Sequence, residues 1–105
     1  SCAVRPGVYS DNMLAATSDP DGRRVVLTEG RWLHIKSEHP ELARHLRDIM
    51  ATVRDPDRRI GGRGAAEEWF LAEHAGPARW LQVVVHYEGG DGWIATAFPR
   101  KSLPR

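Results

Sequence analysis

Residues 34–41 read His34-Ile35-Lys36-Ser37-Glu38-His39-Pro40-Glu41, which gathers two imidazoles and two carboxylates within eight positions. Imidazoles titrate near neutral pH, so such a cluster can take and return protons under cellular conditions. His34 and His39 are five residues apart and fall on different faces of a continuous helix, which does not match a zinc pair spaced i and i+4. With Cys2 the only cysteine and no HExxH, no metal site and no cofactor are expected. Each histidine also has a plain structural use: His39 as a helix cap or a solvated junction residue, His34 as a half-buried core residue between Leu33 and Ile35.

Further along, Thr96 lies in an apolar stretch, where its hydroxyl can reach a substrate phosphate or satisfy a neighbouring backbone group. Arg100 and Lys101 follow and can neutralise a phosphate without a metal; solvated strand ends, and an edge-protecting lysine, are the ordinary alternatives. His86 and Tyr87 are consecutive on an expected strand, so they face opposite ways and cannot share a site. His74, beside Gly76-Pro77, is expected to be exposed. Trp69, Trp80 and Trp93 can stack on bases, although packing is the commoner use and is expected for two of the three.

The elements that must position these groups follow from periodicity. Ser18-Asp19-Pro20-Asp21-Gly22 has the composition of a tight turn, and Arg24-Val25-Val26-Leu27-Thr28 reads as a short strand. Thr28 is placed to cap a helix from about Glu29, with Trp32, Leu33 and Ile35 as its apolar contacts. After Pro40, the stripe Leu42, Leu46, Ile49, Met50 and Val53 predicts a second helix over 40–53, with Arg44, Arg47 and Asp48 facing water. Asp55-Pro56-Asp57 ends it, and Gly61-Gly62-Arg63-Gly64 is expected to form a flexible connection.

The apolar period then changes from 3.6 to 2. Strands are expected over 69–74, 80–87 and 93–98, joined at Gly76-Pro77 and at Gly89-Gly90-Asp91-Gly92. In the middle strand Leu81, Val83, Val85 and Tyr87 should pack under a helix, while Trp80, Gln82, Val84 and His86 form a partly wet face. The expected fold class is α+β, with N-terminal helices packed on one face of a C-terminal antiparallel β-meander. Residues 25–105 form a single domain, and 1–24 carry no assigned structure.

Length and composition agree with this outline. The chain has 105 residues, 41% hydrophobic and 28% charged, which suits one globular domain with one core. Its longest apolar runs are too short for a membrane span, so no membrane partner is expected. A lone cysteine excludes an intramolecular disulfide and is compatible with a reducing cytoplasm. The first residue is Ser1, as in a processed product, an expression remnant or a domain cut from a longer protein. A net charge of +1 does not by itself predict polyanion binding. Only Lys36 and Lys101 among the fifteen basic residues are lysines, however, and arginine's fork suits phosphate. Codon bias in a GC-rich genome is the alternative source of that preference.

The succession of these pieces resembles the barnase, EndoU, colicin and RelE-like nuclease superfamily, most closely its phage-associated and polymorphic-toxin branches. The residues that carry the resemblance are Val26-Leu27-Thr28 leading into Trp32-Leu33-His34-Ile35, His39-Pro40-Glu41-Leu42, and Val53-Arg54-Asp55-Pro56-Asp57. The valine-rich strand at 83–85 and Ile94-Ala95-Thr96-Ala97-Phe98 before Arg100-Lys101 complete it, so that it covers roughly residues 25–102. It implies a metal-independent endoribonuclease of toxin type acting in the cytoplasm of the producing cell or of a target cell. His34 would be the general base or acid, His39 a second proton-transfer group, Thr96 a phosphate contact, Arg100 the charge stabiliser, and Lys101 and Arg79 substrate contacts. RNA, including tRNA, would be the substrate, and an antitoxin or immunity protein with an acidic surface the partner. The competing class is a catalytically inert binding or accessory domain on the same scaffold, which has no need to bring His34, Thr96 and Arg100 into one cleft. A transcriptional autoregulator is a third, weaker reading, because no helix-turn-helix pattern with a basic second helix is present.

Overall fold

A computed structural model describes residues 12–64 and 66–104. Cys2 and the rest of the first eleven residues lie outside that range. Six strands and two α-helices follow in the order β1 (Met13–Ser18), β2 (Arg24–Thr28), α1 (Glu29–Glu38), α2 (Leu46–Arg54), β3 (Arg58–Gly61), β4 (Glu67–Glu73), β5 (Trp80–Glu88) and β6 (Asp91–Arg100). One mixed sheet, ordered β1-β2-β6-β5-β4-β3, contains all six strands. All pairings are antiparallel except that of β2 with β6, where Val26 lies beside Trp93.

The α+β class and the placing of the helices ahead of a meander agree with expectation, whereas the purely antiparallel sheet is corrected. The meander has an extra strand, β3, and the β1–β2 hairpin joins it through a parallel contact. Both added strands are sheet edges. β1 is largely exposed and alanine-rich, and β3 is four residues long with no apolar alternation. Edge strands with little to bury leave no period-2 signal, and pairing to a stronger neighbour makes them. The expected glycine linker is therefore the end and loop of a β-hairpin, with Gly61 closing β3 and Gly62 N–H donating to Glu67 O.

The helix expected over 40–53 is also divided. Pro40–Leu42 forms a 3₁₀ turn, closed by Leu42 N–H to His39 O and Ala43 N–H to Pro40 O, and α2 restarts at Leu46. Leu42 stays fully buried, so the apolar spacing survives the break that hid it. In α2, Ile49 and Val53 are buried, Leu46 and Met50 pack on the core, and Arg47 is exposed, as is Arg44 just before the helix. Asp48 is instead drawn onto His45, whose Nδ1 lies 2.8 Å from Asp48 Oδ2.

The core occupies one sheet face: Val25 and Leu27 from β2, Phe70 from β4, Leu81, Val83 and Val85 from β5, Ile94 and Ala97 from β6, closed over by Ile35, Leu42, Ile49 and Val53. Tyr87 packs at its margin, as the alternation of β5 predicts. Leu33, expected among the apolar contacts of α1, is 65% exposed instead. The second face of β5 is drier than expected, since Trp80, Gln82 and Val84 are all below a tenth exposed and only His86 is half-buried.

Where β1 turns into β2, an ion network ties the sheet together on the core side. Asp19, whose carboxylate is fully buried, accepts from the Tyr87 hydroxyl at 2.7 Å and from Arg23 Nε at 2.8 Å. Arg23 and Arg59 both reach Glu68, at 2.8 and 2.6 Å, and Arg59 also holds Asp21 at 2.7 Å. The Arg23 guanidinium lies 3.7 Å from the centre of the Tyr87 ring. The β1–β2 turn is thereby clamped to β3, β4 and β5.

Candidate active site

Two irregularities in the sheet create a cleft on the face opposite the core. First, β2 stops early. It pairs with β6 only as far as Trp93, so the second half of β6 has no strand on that side and α1 packs there instead. This edge exposure is what lets Pro99 sit in β6. Second, the β5–β6 register slips between Val84 and Val85: Val84 pairs with Thr96 but Val85 with Ile94, leaving Ala95 as a bulge. A bulge reverses the alternation beyond it. Ile94 and Ala97 therefore both face the core, while Trp93, Thr96 and Phe98 face the other way.

The freed carbonyl of Ala95 is claimed by Arg31, which donates to it through Nε at 2.9 Å and Nη2 at 2.5 Å. Thr28, the N-cap, accepts the Arg31 backbone N–H at 3.2 Å. Glu29 in the first turn and Lys36 in the last complement the helix dipole. These contacts fix α1 as the wall of a cleft of about 510 Å³ and set His34 on its rim.

His34, Thr96 and Arg100 line this one cleft. Arg100 is steadied by donating to Gln82 Oε1 at 2.7 Å and to the Ser102 carbonyl. His39 is not among the lining residues; it is the C-cap of α1, 3.8 Å from Glu41 and 5.9 Å from the Phe98 ring centre. Lys101 is exposed just past β6, and Arg79 donates to Glu73 at 2.9 Å; neither lines the cleft. Arg47 lies in a separate, mostly apolar groove between β1 and α2. His74 is exposed at φ 61° in the β4–β5 turn.

Sequence reasoning missed a pair opposite α1. His86 on β5 and Glu67 on β4 are direct cross-strand partners, with His86 Nε2 3.2 Å from Glu67 Oε1. The Trp69 indole N–H donates to Glu67 Oε2 at 2.7 Å, and the Arg63 backbone N–H at 3.2 Å. Those two bonds, against a smaller push from burial and with help from His86, hold the Glu67 carboxyl below its ordinary value of 4.5. Gly62 makes room: a Cβ there would lie 2.6 Å from Glu67 Cγ and 2.7 Å from Trp69 Nε1. Trp93 stacks on the imidazole from the β6 side, at 5.0 Å and 22°. The alternation of β5 put His86 on the right face; only the β4–β5 register, unreadable through the six-residue connection, could have put Glu67 beside it.

Arg31, Arg63 and Arg100 also line the cleft, against a single carboxylate, Glu67. A chain of net charge +1 thus carries a locally cationic site that suits a phosphate. Two imidazoles, one oriented by an ionised carboxylate, flank it. Among the described residues, no group of three or more His, Cys, Asp or Glu side chains is arranged to hold a metal ion, and no helix is long and apolar enough to cross a membrane. No protein-family model matches this chain, and neither a curated protein nor a solved structure matches it.

Proposed function

We propose that this domain is a metal-independent endoribonuclease of toxin type. The observation that carries the reading is the lining of one open cleft by His34, His86 with Glu67, Thr96 and three arginines. An inert scaffold has no need of that arrangement. In the proposed reaction the ribose 2′-oxygen attacks the adjacent phosphorus while His86, held by Glu67, takes the hydroxyl proton. The bond from phosphorus to the 5′-oxygen breaks, and His34 protonates the leaving oxygen. Arg100 and Arg31 offset charge on the phosphorane, and Thr96 donates to a non-bridging oxygen. RNA ends in a 2′,3′-cyclic phosphate and a 5′-hydroxyl; DNA, lacking the nucleophile, is spared.

Incubating the purified protein with total RNA and with tRNA in EDTA tests this. Cleavage leaving cyclic-phosphate ends is the expected result. No cleavage, or cleavage lost in EDTA and restored by a divalent ion, overturns it. A nuclease of this kind endangers its producer in the cytoplasm, so the reading includes a neutralising protein whose acidic surface covers Arg31, Arg63 and Arg100.

A further inference from the structure

We infer that the concavity beside the cleft, between β2 and β6, is a subsite for one unpaired nucleobase, which makes single-stranded RNA the substrate class. This rests on the nuclease reading for the identity of the polymer but not for the existence of the subsite. The concavity, about 360 Å³, is lined by Val26, Thr28, Arg31 and Trp93. Trp93 is 39% exposed, unusual for an indole with a packed sheet beneath it. It stands in a row across the open face: His86 stacks on one flank, and Val26, its register partner in the parallel pairing, lies on the other. The indole is thus braced from the catalytic side and open toward β2.

A flat aromatic ligand gains most from such a surface, because a base offers a π-face whatever its identity. The concavity also ends in donors. The Thr28 hydroxyl accepts from Arg31 N–H and keeps its own proton to donate, and Arg31, anchored through Nε and Nη2, keeps Nη1. Nucleobases present acceptors along their edges, so floor and rim suit the same ligand. Arg31 lines both this concavity and the cleft, so a base here has its phosphate beside His34 and His86. In a duplex both faces of a base are covered by stacking, so only an unpaired nucleotide can enter.

The test is an NMR titration of the whole domain with each of the four ribonucleoside 3′-monophosphates, with inorganic phosphate as control. The Trp93 indole and Thr28 amide signals should shift with nucleotides and not with phosphate. Trp93→Phe should retain binding, and Trp93→Leu, which keeps apolar volume without the aromatic plane, should weaken it roughly ten- to a hundredfold. In cleavage, an oligoribonucleotide should be cut faster single-stranded than annealed, and Trp93→Leu should lose most of that rate. Nucleotides that shift only His34 and His86, as phosphate does, or that bind Trp93→Leu as tightly as wild type, overturn the subsite even if RNA is cut. Nucleotides that shift Trp93 in a protein unable to cut RNA support the subsite and sink the nuclease reading instead.

Discussion

The ion network at the β1–β2 turn and the cleft across the sheet use the same residue types to opposite ends. In the network, Asp19, Asp21, Arg23, Arg59, Glu68 and Tyr87 answer one another, and the Asp19 carboxylate is fully enclosed. In the cleft, the Arg31 and Arg100 guanidiniums are anchored to neutral carbonyl oxygens and not to a carboxylate, Arg63 is held through its backbone N–H, His34 is exposed, and His86 has a carboxylate on one nitrogen only. Among the described residues no buried side-chain N or O lacks a partner. Polar groups are therefore satisfied where they are buried among the described residues, and the cleft gathers open donors and proton carriers side by side. Charge that is closed on itself holds a fold; charge held at one end and open at the other is available to a ligand.

The contrast predicts that substitutions in the two regions separate activity from stability. The largest effect should come from His34→Ala and His86→Ala, each lowering RNA cleavage by about 10² to 10⁴ with melting temperature nearly unchanged. Cleavage and thermal melting measured on the same preparation decide it. A folded His34→Ala variant with wild-type cleavage removes His34 from the mechanism.

Next in size is Asp19→Asn, which leaves Arg23 and the Tyr87 hydroxyl with a weaker acceptor in a buried setting. A loss of roughly 2–3 kcal/mol is expected, below the full value for a buried pair because Arg23 and Arg59 are partly solvated. Burial pushes the Asp19 carboxyl up, but the bonds from Tyr87 and Arg23 outweigh it and hold it below 3.8. Glu68 is likewise raised by burial and lowered further by Arg59 and Arg23, ending below 4.5. A depressed carboxylate contributes stability above its unfolded pKa and loses it as pH falls through the folded one. The gap between wild type and Asp19→Asn should thus be full at neutral pH and close below about pH 4. Tyr87 runs the other way: burial first, then Asp19, raises its phenol above 10.0, so its contribution holds below that pH and is lost only as pH rises further. Urea melts across pH would break the comparison if the gap persisted in acid.

Residues with strong period or strong chemistry were legible beforehand, and those fixed by register were not. The stripe in α2, the alternation in β5 and the Thr28 cap follow from spacing, because each depends on local pattern, whereas a shared site for His34, Thr96 and Arg100 was implied only by resemblance. Glu67 beside His86, the Ala95 bulge and the Arg23–Glu68–Arg59 network depend on which strands meet and in what register. That is a property of pairs of segments, and no window along the chain contains it. The edge strands β1 and β3 were missed for a related reason, since an exposed strand borrows its order from its neighbour.

Thr28→Ala is smaller in stability but tests the link between regions, since Thr28 closes α1 and borders the cleft wall. Losing the cap should cost about 1 kcal/mol. Because the same contact steadies Arg31, cleavage should fall by more than that loss of stability explains. Melting and cleavage at a temperature where the variant is fully folded check this.

The smallest effect belongs to Arg79→Ala, which probes whether an arginine outside both regions matters. Its side chain is 64% exposed and pairs with Glu73 at 2.9 Å across the β4–β5 turn. Exposed pairs contribute little, because solvent screens the attraction and ordering two long side chains opposes it. Stability should change by less than about 0.5 kcal/mol. If only a charge anchored in the cleft serves the substrate, cleavage should also stay at the wild-type level and keep its salt dependence. Arg100→Ala, the matched change inside the cleft, should lower cleavage and flatten that dependence. Comparing the two across a salt series isolates position from charge, since each removes one guanidinium from the same chain. Equal losses in both variants would mean that the substrate reads the overall field of the domain rather than the cleft, and the division drawn between its two regions would fail.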